Sequence, residues 1–152
     1  MKKINALKVL IVDDEEIIRE TLNDFFDYLG HTAIAVDNGL EGLKAIETSD
    51  YHVAFVDIRM PGIDGIEFLQ RLEKINMAKQ IPVFIMTGHG DDATRDEAMA
   101  AGASGFLCKP FGIPEIQSIM NQIIESMRKE ECVKKNDQIL NLSETVHAPF
   151  TG

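Results

Sequence analysis

With 152 residues, 45% of them hydrophobic and 26% charged, the chain suits one packed domain plus a short extension and is too apolar to be disordered. The longest apolar runs, such as Val9-Leu10-Ile11-Val12, fall far below the roughly 20 residues that span a bilayer, and Met1-Lys2-Lys3 precedes no signal-like apolar stretch; no membrane insertion and a cytoplasmic location are expected. The net charge of −10 lies wholly in residues 1–125, because Arg128, Lys129, Lys134 and Lys135 balance Glu130, Glu131, Asp137 and Glu144, and so acidic a surface argues against direct nucleic-acid binding.

Short β-branched runs alternate with longer segments of helical period, the pattern of an α/β fold with a parallel sheet covered on both faces. Lys8–Val12 is the first strand. Ile17, Ile18, Thr21, Leu22, Phe25, Phe26 and Leu29 mark the first helix, closed by Gly30 as a left-handed cap. Thr32–Val36 is the second strand, and Leu40, Leu43 and Ile46 give a short second helix. Val53–Val56, running into Asp57, reads as a fully buried third strand, followed by a helix bearing Ile66, Leu69, Leu72 and Ile75. Val83–Met86, running into Thr87, is a fourth strand of the same buried kind. The next helix, about Asp92–Ala101, has mainly Ala and Met as apolar residues, so shallow burial is expected. Gly105–Cys108 runs into Lys109, and Pro114 opens an amphipathic fifth helix carrying Ile116, Ile119, Met120, Ile123, Ile124 and Met127. Beyond about Lys135 the pattern fades into a polar tail in which Ile139, Leu140, Leu142, Val146 and Phe150 are the apolar residues; a flexible end is expected. Residues 1–129 read as one domain and 130–152 as an extension or linker. Cys108 and Cys132 form no metal-binding spacing and are expected as free thiols.

Ligands of open parallel sheets gather beyond the strands' carboxyl ends. Here Asp13 and Asp14 follow strand one, and Asp57, Thr87 and Lys109 end strands three, four and five. Taken singly, these residues have plainer readings, as a helix N-terminal signal, a turn, a strand end or a solvated charge. Four separate segments delivering reactive groups to one edge is not what scattered surface charge does. If strands one and three are neighbours, about 4.8 Å apart, three carboxylates converge and need a cation, and hard oxygen donors suit Mg²⁺. Asp57, just before the Pro61-Gly62 turn, is placed to attack a phosphoryl donor. Lys109, Mg²⁺ and the Thr87 hydroxyl are then placed to receive the charge on the phosphoryl oxygens.

The motifs Val-Asp-Asp-Glu at 12–15, Val-Asp-Ile-Arg-Met-Pro-Gly-Ile-Asp-Gly at 56–65, Met-Thr-Gly at 86–88 and Ala-Gly-Ala-Ser-Gly-Phe-Leu-Cys-Lys-Pro-Phe at 101–111 resemble the response-regulator receiver domain of bacterial two-component signalling. The resemblance implies a doubly wound, flavodoxin-like sheet of five parallel strands in the order 2-1-3-4-5 with five helices. It implies Asp57 as phosphoacceptor, and Mg²⁺ held by Asp14, Asp57 and the backbone carbonyl of Arg59, with Asp13 acting largely through water. It implies Thr87 and Lys109 as phosphoryl contacts, a Thr87–Phe106 conformational switch, and a cis bond before Pro110. Arg59, Gly88 and His89 fall where the lifetime of the phosphorylated state is tuned. The implied partners are a sensor histidine kinase or phosphotransfer protein, and a downstream output protein or a missing output domain. Signalling would run through helix four, strand five and helix five, and a phosphorylation-dependent dimer belongs to the same expectation. Such a domain is no enzyme beyond its own phosphotransfer and autodephosphorylation. An aspartyl-phosphate hydrolase of the haloacid dehalogenase type would need an Asp-x-Asp pair after strand one, where this chain has adjacent Asp13-Asp14. A flavodoxin would need a phosphate loop that the same acidic residues repel.

Overall fold

The computed structural model describes residues 6–75, 80–88 and 92–147, with the backbone alone for 141–147. Strands and helices alternate as β1 (Lys8–Val12), α1 (Glu16–Tyr28), β2 (Thr32–Val36), α2 (Gly39–Thr48), β3 (Val53–Asp57), α3 (Gly65–Ile75), β4 (Val83–Thr87), α4 (Asp92–Ala100), β5 (Gly105–Cys108) and α5 (Ile113–His147). The strands pair in parallel in the order β2-β1-β3-β4-β5, as the motifs imply. The chain winds outward from β1 in both directions, so a crevice opens beyond the carboxyl ends of β1 and β3.

β3 and β4 are buried along their whole length, which requires apolar side chains on both faces. Alternate residues serve two layers. Leu10, Val12, Ala54, Val56, Val83 and Ile85 join Leu43, Ile46, Phe68, Leu69, Leu72 and Ala98 in one core cluster. The residues between them face the other way, where the Phe55 ring lies 5.4 Å from that of Phe26 on α1 and 5.7 Å from Phe84. β2, at the edge, is only partly buried.

α1 ends at Gly30, whose φ of 87° is the left-handed conformation expected there. Asn38 caps α2 by accepting from the Glu41 N–H at 2.9 Å. Ile17, Leu40 and Ile75, expected on apolar faces, are exposed; each sits in the first or last turn of its helix, where neighbours are present on fewer sides. Conversely Phe68, beside the expected stripe of α3, is fully buried. Gly65 lets α3 begin against the end of β3: a Cβ there would lie 2.8 Å from the Asp57 carbonyl oxygen and 2.9 Å from the Ile58 Cα.

The chain divides into two compact units, residues 1–117 and 118–152. In the second, Ile119, Met120 and Ile123 are buried, and Val133, Ile139 and Leu140 are exposed. The helix does not end near Lys135 but runs to His147. No Gly or Pro interrupts it before Pro149, and Glu130 and Glu131 precede Lys134 and Lys135 by four residues, a spacing that supports helix. The side chains of Leu142 and Val146, and Phe150 altogether, lie outside the described residues.

Candidate phosphoryl-transfer site

Four strand ends build the site. Asp13 follows β1, Asp57 closes β3, Thr87 closes β4 and Lys109 follows β5, with Asp57 registered against Met86 and Thr87 against Cys108. Among the described residues, the buried polar or charged ones are Asp13, Asp57 and Thr87, and all three are here. Burying such groups is costly unless they are bonded or paired.

Asp13 is held from three sides. Its Oδ1 accepts from the Glu15 N–H at 2.8 Å, its Oδ2 from the Lys109 Nζ at 3.0 Å, and its backbone carbonyl from the Arg19 Nη1 at 2.8 Å. The Lys109 Nζ also lies 3.5 Å from the Asp57 Oδ1 and 3.8 Å from the Glu15 Oε1. Asp13, Asp14 and Asp57 each bring a carboxylate oxygen within 4.8 Å of the others, with Asp14 exposed.

Desolvation, followed by the charge of Asp13, pushes the Asp57 carboxyl up to about 6 from its ordinary 3.8. Lys109 and a hydrogen bond from the Arg59 backbone pull it back, and Asp14 adds a smaller push upward. Burial alone would lower the Lys109 ammonium, but its bond to Asp13 and the charges of Asp57, Asp13 and Glu15 outweigh that and raise it. One ammonium thus faces three converging carboxylates and Glu15. The donor set that remains is hard, all-oxygen and open to solvent on the Asp14 side, which fits a partly hydrated Mg²⁺ better than a softer metal.

Glu15, Asp57, Ile58, Arg59, Thr87, Gly88 and Lys109 line one cleft, and a Cβ at Gly88 would meet open space. The Lys109–Pro110 bond is cis. Phe106 is half-buried on β5, opposite Ile85. His89 lies outside the described residues. The sequence reading missed Glu15 and Arg19. Glu15 follows directly on the Asp-Asp pair; nothing in the sequence marks Arg19, six residues from the carbonyl it holds.

The chain matches the response regulator receiver domain family over residues 9–121 and belongs to it. It is therefore a receiver domain of the two-component response regulators, and the match speaks against the dehalogenase-type alternative. It is 34% identical to the transcriptional regulatory protein FixJ of Bradyrhizobium diazoefficiens over 86% of this chain, and it spans only 62% of that relative's length. It is 35% identical to the sporulation initiation phosphotransferase F of Bacillus subtilis, over 77% of this chain and 93% of that one. The solved chemotaxis protein CheY4 of Vibrio cholerae superposes with a TM-score of 0.73 at 26% identity, covering 78% of this chain and 98% of that one. No helix among the described residues is long and apolar enough to cross a membrane.

Proposed function

We propose that this chain is a phosphoacceptor that takes a phosphoryl group from a histidine kinase or phosphotransfer protein onto Asp57. The observation that carries the reading is the Lys109 ammonium, 3.0 Å from Asp13 and 3.5 Å from Asp57, in a cleft that Asp57 and Thr87 line. A carboxylate oxygen of Asp57 forms a bond to phosphorus while the bond from phosphorus to the donor breaks, leaving an acyl phosphate and the freed donor. With acetyl phosphate the leaving group is acetate. The charge on the phosphoryl oxygens is met by Lys109 and by a hydrogen bond from the Thr87 hydroxyl. Asp13, Asp14, Asp57 and the Arg59 carbonyl hold Mg²⁺, which supplies further positive charge to those oxygens when bound. Thr87 and Phe106 form the switch that reports the change to the surface of α4, β5 and α5, and Arg59, Gly88 and His89 set the lifetime of the acyl phosphate. Residues 1–129 act as the receiver and 130–152 as its extension, at work in the cytoplasm.

The test is incubation with Mg²⁺ and acetyl phosphate, read by intact mass. One phosphoryl group is gained by the native protein, and none by Asp57→Asn or when Mg²⁺ is withheld. A native protein that gains no mass refutes the reading.

A further inference from the structure

α4 follows directly on the strand that ends in Thr87, yet its only buried residue is Ala98. A helix that buries a single alanine has little apolar area to hold it. Arg95 also reaches from it to the sheet. Its guanidinium carbon lies 5.5 Å from the centroid of the Phe106 ring, and its Nη2 donates to the Cys108 Sγ at 3.2 Å. Phe106 and Cys108 are two residues apart on β5 and therefore share a face, so one side chain grips both. Cys108 is registered against Thr87 and precedes Lys109. The grip therefore closes on the strand that delivers the site's ammonium.

That grip is also weak by construction. The guanidinium has five N–H donors and a thiol is a poor acceptor, while the Arg95 Nε is buried with no hydrogen-bond partner among the described residues. A buried donor left without a partner favours any rearrangement that satisfies it. A clamp that is close to balanced suits an element with two positions.

We propose that Arg95 is a positioning residue for phosphoryl transfer: it clamps α4 to Phe106 and Cys108 while Asp57 is a free carboxylate, and it lets go when Asp57 is phosphorylated. The proposal rests on Asp57 as the phosphoacceptor. Since the clamp favours the arrangement that phosphorylation must leave, removing it raises the share of molecules ready to react.

Initial phosphoryl uptake from acetyl phosphate, measured by intact mass, rises about two- to fivefold in Arg95→Ala, the range that a lost cation–π contact implies. Arg95→Lys, which keeps a cation over the ring, stays near the native rate, and Arg95→Ala adds nothing in a Phe106→Leu background. A purely structural role predicts lower thermal stability with unchanged or slower uptake. In the native protein, the ¹⁵N–¹H resonance of the Arg95 Nε moves on phosphorylation, a readout that requires no variant to fold. A native adduct with an unmoved resonance, or unchanged or slower uptake in Arg95→Ala, overturns the clamp alone. Absence of any native adduct overturns the Asp57 reading and the clamp with it.

Discussion

α3 and α4 are consecutive helices behind consecutive site strands, and they are held in opposite ways. α3 buries Gly65, Ile66, Phe68, Leu69 and Leu72, whereas α4 buries Ala98 alone. A fully buried Leu, Ile or Phe contributes about 1.5–3 kcal/mol, so α3 is attached several times more firmly. The end of β3, with Asp57, is thereby backed by a helix packed so closely that Gly65 touches its backbone. The end of β5, with Lys109, faces a helix that buries one alanine and places Arg95 against Phe106 and Cys108. The proposed function would use both: a firmly backed carboxylate at Asp57 and a lightly held helix beside it.

The widest test of this contrast is core truncation. Phe68→Ala is expected to lose about 3–5 kcal/mol of urea-measured stability through the cavity it leaves. Met99→Ala on α4, at a half-exposed position, is expected to change stability by less than about 0.5 kcal/mol. Similar losses at the two positions would break the comparison. Gly65→Ala comes next. The added Cβ meets backbone that cannot swing aside, so a loss of about 1–3 kcal/mol is expected, along with slower phosphoryl uptake because the end of β3 shifts.

A smaller effect runs in the opposite direction. Folding raises the Asp57 carboxyl from 3.8 to about 6, so the folded chain holds that proton more tightly than the unfolded one. Ionised Asp57 therefore opposes folding above pH about 6, and the opposition fades as pH falls to about 4. In the presence of a chelator at pH 7.5, Asp57→Asn is expected to be about 1–2 kcal/mol more stable than the native protein, a gain of roughly 2–6 °C in Tm. The gain shrinks towards pH 4, and Mg²⁺ narrows it by stabilising the native carboxylate cluster more than the variant. Equal melting temperatures across that range would show that burial does not strain Asp57. The smallest effect is on the outer face of α3, where the Arg71–Glu67 pair at 2.9 Å is half-exposed; Arg71→Ala is expected to cost less than about 0.5 kcal/mol by the same urea measurement.

Much of this was legible in the chain itself. Strand positions followed from apolar runs ending in Asp57 and Thr87, because a strand buried on both faces leaves no room for polar residues before its end. Gly30 followed from the left-handed turn that closes α1. The motifs named the family and, with it, the strand order. The length of α5 is not legible in the apolar period, which fades near Lys135 while the helix continues to His147; between Pro114 and Pro149 neither Gly nor Pro breaks it. Glu15 and Arg19 were missed because their work is to hold Asp13 through its backbone and through Lys109, contacts that no residue pattern announces.

By itself, then, the sequence determined which strands are buried, which residues cap their carboxyl ends, and which family those residues belong to. These are matters of local polarity and spacing along one segment. Only the tertiary structure decided that Lys109 reaches 96 residues back to Asp13, that Asp57 is driven up by desolvation, and that Arg95 of α4 meets Phe106 and Cys108. Distances and dielectric surroundings between segments arise only when the sheet brings them together.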